Sequence, residues 1–184
     1  EVTCMEEDNL LMRRAANGDK EAFETLVLRH REHAVRFAAR FTANRYDAED
    51  IVQECFAKLY VRREQWKDGA SFKAYLYTMI RNRCTDFFRL KREKPEVSEE
   101  ELELISREGL PETTVLAREE RERIFDTVSR LKPEYRTALY LFAYEQMNYR
   151  EIAKVMGKTQ AQIKITLHRA RKSLKKQLLR RESE

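Results

Sequence analysis

Three acids stand at helical spacing in the stretch YDAEDIVQECFAKLY, residues 46–60: Asp47, Asp50 and Glu54. At about 100° per residue, positions i, i+3 and i+7 share one stripe, while Ile51, Val52, Cys55 and Leu59 gather on the other side. Such a stripe has three chemical uses. It can ligate a divalent cation, as a metal-dependent nuclease would require of Asp47, Asp50 and Glu54. It can simply face water, or it can dock on a basic partner. The metal use is the poorest fit, because the stripe lacks a histidine or a fourth acid in sequence reach and divalent sites usually gather ligands from several elements.

A second constellation is cationic. From Lys158 to Arg181 there are nine Lys or Arg and no acid, which suits a phosphate backbone and its salt-dependent, sequence-blind attraction. The stretch ahead of it reads as a helix-turn-helix. Asn148 and Glu151 have capping-box spacing, Gly157 stands where a helix ends in a left-handed residue, and Thr159 with Gln162 opens a second helix. Ile163, Leu167, Ala170 and Leu174 form its inner seam. Residues near the start of such a helix face base edges, where Gln160, Gln162 and Lys164 can donate or accept and Ile165 can touch a thymine methyl. The candidate contact set is Gln160, Ala161, Lys164, Ile165, His168, Arg169, Arg171 and Lys172. His168, with no His or Cys nearby, fits a phosphate donor better than a metal ligand.

A third segment, SFKAYLYTMIRNRCTDFFRLKRE, sets Arg81, Arg83, Arg89, Lys91 and Arg92 against Asp86 and interleaves Phe72, Tyr75, Tyr77, Phe87 and Phe88. Aromatics beside cations suit unstacked bases. Aromatics at helical spacing equally fill a core, which is the expectation for Phe72, Leu76, Ile80 and Phe87. Both readings stand at this point.

The elements that must carry these groups are all helices. Asp8 or Asn9 is expected to cap a first helix bearing Leu10, Leu11, Ala15 and Ala16 on one side. Asp19 caps a second, from Lys20 to about Phe41. Asp47 starts the acidic one, and Ser71 caps the aromatic one. Residues 93–112 then hold eight glutamates against Lys94 and Arg107, with Pro95, Gly109 and Pro111 among them. Acid excess with helix breakers marks a linker, with a short helix around Leu102 to Ile105. Beyond it come helices from about Thr114 to Leu131, from Pro133, from Tyr149 to Met156, and from Gln160 to about Leu179. The fold class is therefore all-α: two helical domains, 8–93 and 113–181, joined by an acidic flexible linker over 94–112, the second containing the helix-turn-helix.

Composition agrees. The 184 residues carry 38% charged side chains, four glycines and three prolines, with a net charge of only +5, so charge placement matters more than its sum. Cys4, Cys55 and Cys84 show no CxxC spacing, and an odd, scattered set points to reduced thiols. No apolar run approaches the roughly 18 residues of a membrane span, and no basic-then-apolar leader opens the chain. The expected location is cytoplasmic. A nucleophile–base pair, a Gly-rich phosphate loop and metal-ligand spacing are all missing from the sequence, so no enzyme and no cofactor is expected.

Taken in order, these stretches resemble the extracytoplasmic-function class of bacterial sigma factors over nearly the whole chain. DAEDIVQECFAKLY is similar to that family's core-binding helix. FKAYLYTMIRNRCTDFFR is similar to its promoter-melting helix, with the pair Arg81-Asn82 and Asp86 in place. LKPEYRTALYLFAYEQMNYREIAKVMGKTQAQIKITLHRAR is similar to its C-terminal domain. The resemblance implies that Asp50, Gln53 and Glu54, flanked by Phe56 and Tyr60, dock on a coiled coil of the largest polymerase subunit, and that the flap region is a further polymerase contact. It implies that the loop with Lys67, Asp68 and Ser71 helps hold a flipped base of the −10 element, and that Arg81, Asn82, Arg83 and Arg89 meet the adjoining DNA. It implies that the C-terminal domain reads the −35 element as duplex, and that an anti-sigma factor is a partner. Two departures stand out: Tyr75 where the family commonly has a Trp, and Ile165-Thr166 where it often has a small polar residue followed by a basic one. The competing reading is a stand-alone helix-turn-helix regulator.

Overall fold

The structure is a computed structural model that describes residues 2–42, 44–67, 69–92 and 127–181. The expected linker, the short helix near Leu102 and most of the helix from Thr114 lie outside these, as does Asp68; residues 127–129 are helical. Among the described residues no strand occurs, in keeping with an all-α fold. The chain divides into two compact units, Glu1–Leu110 and Pro111–Glu184.

The first unit holds α1 (Val2–Ala16), α2 (Lys20–Ala38), α3 (Arg45–Val61), a 3-10 turn (Arg63–Gln65) and α4 (Phe72–Arg92). Local chemistry sets most of the boundaries. Asp19 accepts from the Ala22 N–H at 3.0 Å, and that bond, with Arg14 bonded to the same carboxylate, keeps its carboxyl below the ordinary value. Asn44, rather than Asp47, caps α3: its Oδ1 accepts from the Asp47 N–H at 2.8 Å while its Nδ2 donates to Asp47 Oδ2 at 3.1 Å. Asp47 is thus the third residue of the helix, where a carboxylate meets the positive end of the dipole.

Nor does α1 start at Asp8 or Asn9, since both lie inside it, and its buried side is Asp8, Met12 and Ala15 while Leu10 is exposed. The two polar residues have longer-range work. Asp8 accepts from His30 Nε2 at 2.8 Å and from Arg29 Nη1 at 2.7 Å. Burial pushes its carboxyl up, but these two partners more than offset that and leave it lowered. Asn9 Oδ1 accepts from the Phe72 N–H at 2.8 Å, and Ser71 Oγ from the Ala74 N–H at 3.2 Å. The first turn of α4 is therefore capped half by the residue just before it, Ser71, and half by Asn9 of α1. Phe72, Leu76, Tyr77 and Ile80 of α4 are fully buried with Leu26 and Phe37 of α2, each such side chain worth about 1.5–3 kcal/mol of transfer free energy.

The second unit holds α5 (Pro133–Leu139), a π-helical turn (Tyr140–Tyr144), α6 (Tyr149–Met156) and α7 (Gln160–Arg181). Pro133 occupies the first turn of α5, where its missing N–H costs nothing. Gln146 takes a φ of 54°, reversing the chain before α6.

Candidate polymerase and nucleic-acid interfaces

The exposed stripe of α3 is built from Tyr46, Asp50, Gln53 and Ala57, at i, i+4, i+7 and i+11. Glu54 lies at its edge, turned toward α4. Its Oε1 accepts from Lys58 Nζ at 2.6 Å and its Oε2 from Arg83 Nε at 2.6 Å. Lys58 first and Arg83 second hold the Glu54 carboxyl below its ordinary value, and the same pairing strengthens the Arg83 guanidinium's hold on its proton.

The three acids therefore part company. Asp47 is bonded to Asn44, Asp50 faces outward, and Glu54 is held between two cations. Among the described residues no three His, Cys, Asp or Glu side chains come together to hold a metal ion.

The flanking aromatics differ from expectation. Phe56 is only 6% exposed and meets Phe23 edge-on, so it supplies no outer rim. An apolar ring one position beyond the Cys55 seam has more to gain from the α2 contact than from water. Tyr60 is half-buried, its ring 5.0 Å from that of Phe23 and 4.2 Å from the Arg63 guanidinium. The ring that does stand out is Tyr46, 81% exposed. Its place four residues before Asp50 was the available signal.

On α4 the aromatic segment divides cleanly. Phe72 and Tyr77 are core, Tyr77 lying 4.9 Å from Phe37, and Phe87 is half-buried. Tyr75 and Phe88 are exposed, with Tyr75 edge-on to Trp66 at 5.6 Å. Of the polar side chains, Arg89 and Asn82 are both exposed, Arg81 is half-buried, and Arg83 is tied to Glu54. In the preceding loop Lys67 is exposed, while the Ser71 hydroxyl is engaged as a cap.

The helix-turn-helix forms as its sequence predicts. Asn148 Oδ1 accepts from the Glu151 N–H at 3.0 Å and Glu151 returns the bond to the Asn148 N–H at 3.1 Å. Gly157 has φ 64°, ψ 39°. Thr159 and Gln162 exchange the same pair of bonds at the start of α7. Ile163, Leu167 and Ala170 are fully buried, which turns Gln160, Ala161, Lys164, Ile165, His168, Arg169 and Lys172 outward. Ile165 is 51% exposed, a large apolar group kept in water. Arg171, also expected at DNA, is exposed and lies 4.7 Å over the Phe142 ring. Thr166 is buried, and its hydroxyl donates to Glu134 Oε1 at 3.2 Å.

Comparison with known proteins follows this geometry. The family model for sigma-70 region 2 matches residues 26–94, and that for sigma-70 region 4 matches residues 121–174. The chain is 28% identical over 186 residues to the RNA polymerase sigma-H factor of Pseudomonas aeruginosa, covering 96% of each protein. It is 27% identical to the ECF RNA polymerase sigma factor SigW of Bacillus subtilis (91% of this chain, 94% of the relative). It is also 27% identical to the ECF RNA polymerase sigma-E factor of Escherichia coli K12 (91% and 92%). Among solved structures, CnrH in complex with the cytosolic domain of CnrY superposes with a TM-score of 0.66 at 25% identity, over 94% of this chain and 97% of that one. The sigma factor RpoE of Bartonella quintana shares the fold, with a TM-score of 0.59 at 23% identity, over 85% and 96%. With both sigma-70 regions matched in order, and full-length relatives that are sigma factors, the chain belongs to the extracytoplasmic-function class of RNA polymerase sigma factors, alternative sigma factors that direct transcription initiation.

Proposed function

We propose that the first domain, 8–93, grips core polymerase through α3 and melts the −10 element through α4, and that the second, 113–181, reads the −35 element through α7, with 94–112 as the linker. The observation that carries this reading is the outward face of α7. Lys164, Ile165 and His168 stand exposed opposite a fully buried seam, as a helix entering a major groove requires.

On α3 the polymerase contact comprises Asp50, Gln53 and Glu54, with Tyr46 as the exposed apolar anchor and Tyr60 beside the 3-10 turn. The acids set register and on-rate, and the ring supplies area. On α4 and its loop, Lys67, Arg81, Asn82 and Arg89 meet single-stranded promoter DNA, Tyr75 and Phe88 offer stacking faces, and Arg83 joins them when released from Glu54. The protein has no catalysis of its own and acts in the cytoplasm. Among the described residues no helix is long and apolar enough to cross a membrane. An anti-sigma partner masks these faces until they are needed, a role supported by a similar structure solved bound to the cytosolic domain of another protein.

Run-off transcription with the purified chain and a bacterial core enzyme tests the reading. Promoter-dependent transcripts are expected from templates selected by the holoenzyme. Absence of any such transcript, together with tight protection of palindromic duplex by the protein alone, would instead identify a stand-alone regulator.

A further inference from the structure

Glu134 lies outside the helix-turn-helix, in the first turn of α5, yet it holds two parts of it. Its Oε1 accepts from Lys158 Nζ at 2.7 Å and from Thr166 Oγ1 at 3.2 Å. Lys158 belongs to the turn, next to the Thr159 cap, so its amine sits at the end of α7 that approaches DNA in this motif. Thr166 is on the inner face of α7, beside the Leu167 seam. The Lys158 hydrogen bond draws the Glu134 carboxyl below its ordinary value, outweighing the opposing effect of burial, and Thr166 adds a smaller lowering, so the group is a carboxylate where it makes both bonds.

A cation at this end of the helix adds attraction to any duplex equally, because phosphate contacts carry no sequence information. Exposed Lys164, Arg169, Lys172 and Lys175 already supply such attraction. Resting on the reading that α7 enters duplex DNA, we propose that Glu134 is a specificity-setting positioning residue. It engages the Lys158 charge in a surface ion pair, away from phosphate, and fixes the rotation of α7 through Thr166, so that base-edge contacts decide which duplex is bound.

The test uses holoenzyme reconstituted from the full chain and promoter fragments whose −35 element is intact or scrambled, titrated across a series of salt concentrations. Glu134→Gln releases Lys158, adding about one phosphate contact. Its affinity should fall by a further factor of about three to four relative to wild type between about 50 and 200 mM salt, and its preference for the intact element should shrink. Lys158→Met added to Glu134→Gln should restore the wild-type slope. Thr166→Val should reduce preference without changing the slope. A merely structural role would shift the melting temperature of these variants and leave the salt slope alone. The proposal is overturned if Glu134→Gln keeps the wild-type slope and preference, or if adding Lys158→Met to it leaves the slope as steep as in Glu134→Gln alone. If wild type is indifferent to scrambling, duplex reading by α7 fails and this proposal fails with it; if wild type discriminates and the variants do not differ from it, only this proposal fails.

Discussion

Glu54 and Arg83 are joined across the contact of α3 with α4, Oε2 to Nε at 2.6 Å. One stands at the edge of the surface proposed for polymerase, the other on the surface proposed for promoter DNA, so the two surfaces share a bond. Both side chains are about one-third exposed, and an ion pair of that kind contributes only about 0–1 kcal/mol. Its importance is geometric: whatever draws Glu54 away changes where Arg83 points.

Charge reversal separates the two roles. Glu54→Arg should weaken association with core polymerase at least tenfold while lowering stability by less than about 1 kcal/mol. The exchange Glu54→Arg with Arg83→Glu should recover that stability but not the association. Binding by gel filtration, with urea unfolding in parallel, reads both, and unimpaired association of either variant would remove α3 from the polymerase contact.

The buried Asp8 links α1 to α2. Asp8→Ala leaves His30 and part of Arg29 without their carboxylate and should cost about 3 kcal/mol, as breaking a buried pair does. Because its folded-state carboxyl is lowered, Asp8 stabilises above the ordinary carboxylate range, and that stability is lost as pH falls through the depressed value. Wild type should therefore lose stability faster than Asp8→Ala below about pH 4. Parallel acid-unfolding curves for the two proteins would contradict this.

Two local substitutions should loosen the helix-turn-helix. Asn148→Ala removes one half of the capping box, at about 1 kcal/mol. Gly157→Ala forces a side chain into a left-handed backbone, at about 1 kcal/mol or more. Thermal unfolding followed by circular dichroism should show both as lowered midpoints, with weaker promoter binding at elevated temperature.

Cys55 and Cys84 should be inert while the first unit is folded. Burial raises their thiols to about 11 and about 12 respectively, so almost no thiolate exists near neutral pH, and both side chains are shielded. Peptide mapping after iodoacetamide at pH 8 should find neither modified until denaturant is added. Rapid labelling of either in native protein would show that α3 and α4 open readily.

Four of the caps were legible in the sequence because they are local, although the α3 cap, Asn44, is equally local and Asp47 was expected in its place. Asp19, Ser71, Asn148 with Glu151, and Thr159 with Gln162 each bond three residues away, and residue type at fixed spacing encodes such bonds. The α7 seam followed from helical periodicity for the same reason. What else escaped was long-range. Glu54 meets Arg83 across 29 residues, Asp8 meets His30 across 22, and Thr166 reaches Glu134 across 32. Periodicity says which residues share a face but not what that face meets. For that reason Phe56 was expected outside and packs on Phe23, and Thr166 could be noted as unusual without its partner being visible.

The bond from Asn9 to the Phe72 amide ties the beginning of one helix to the middle of another, 63 residues earlier. The segment that would pry open a promoter cannot complete its own first turn; it borrows an acceptor from the leading helix. Any protease cut, truncation or antagonist that lifts that leading helix away would fray the helix proposed to open DNA from its near end, without touching a single residue proposed to meet nucleic acid.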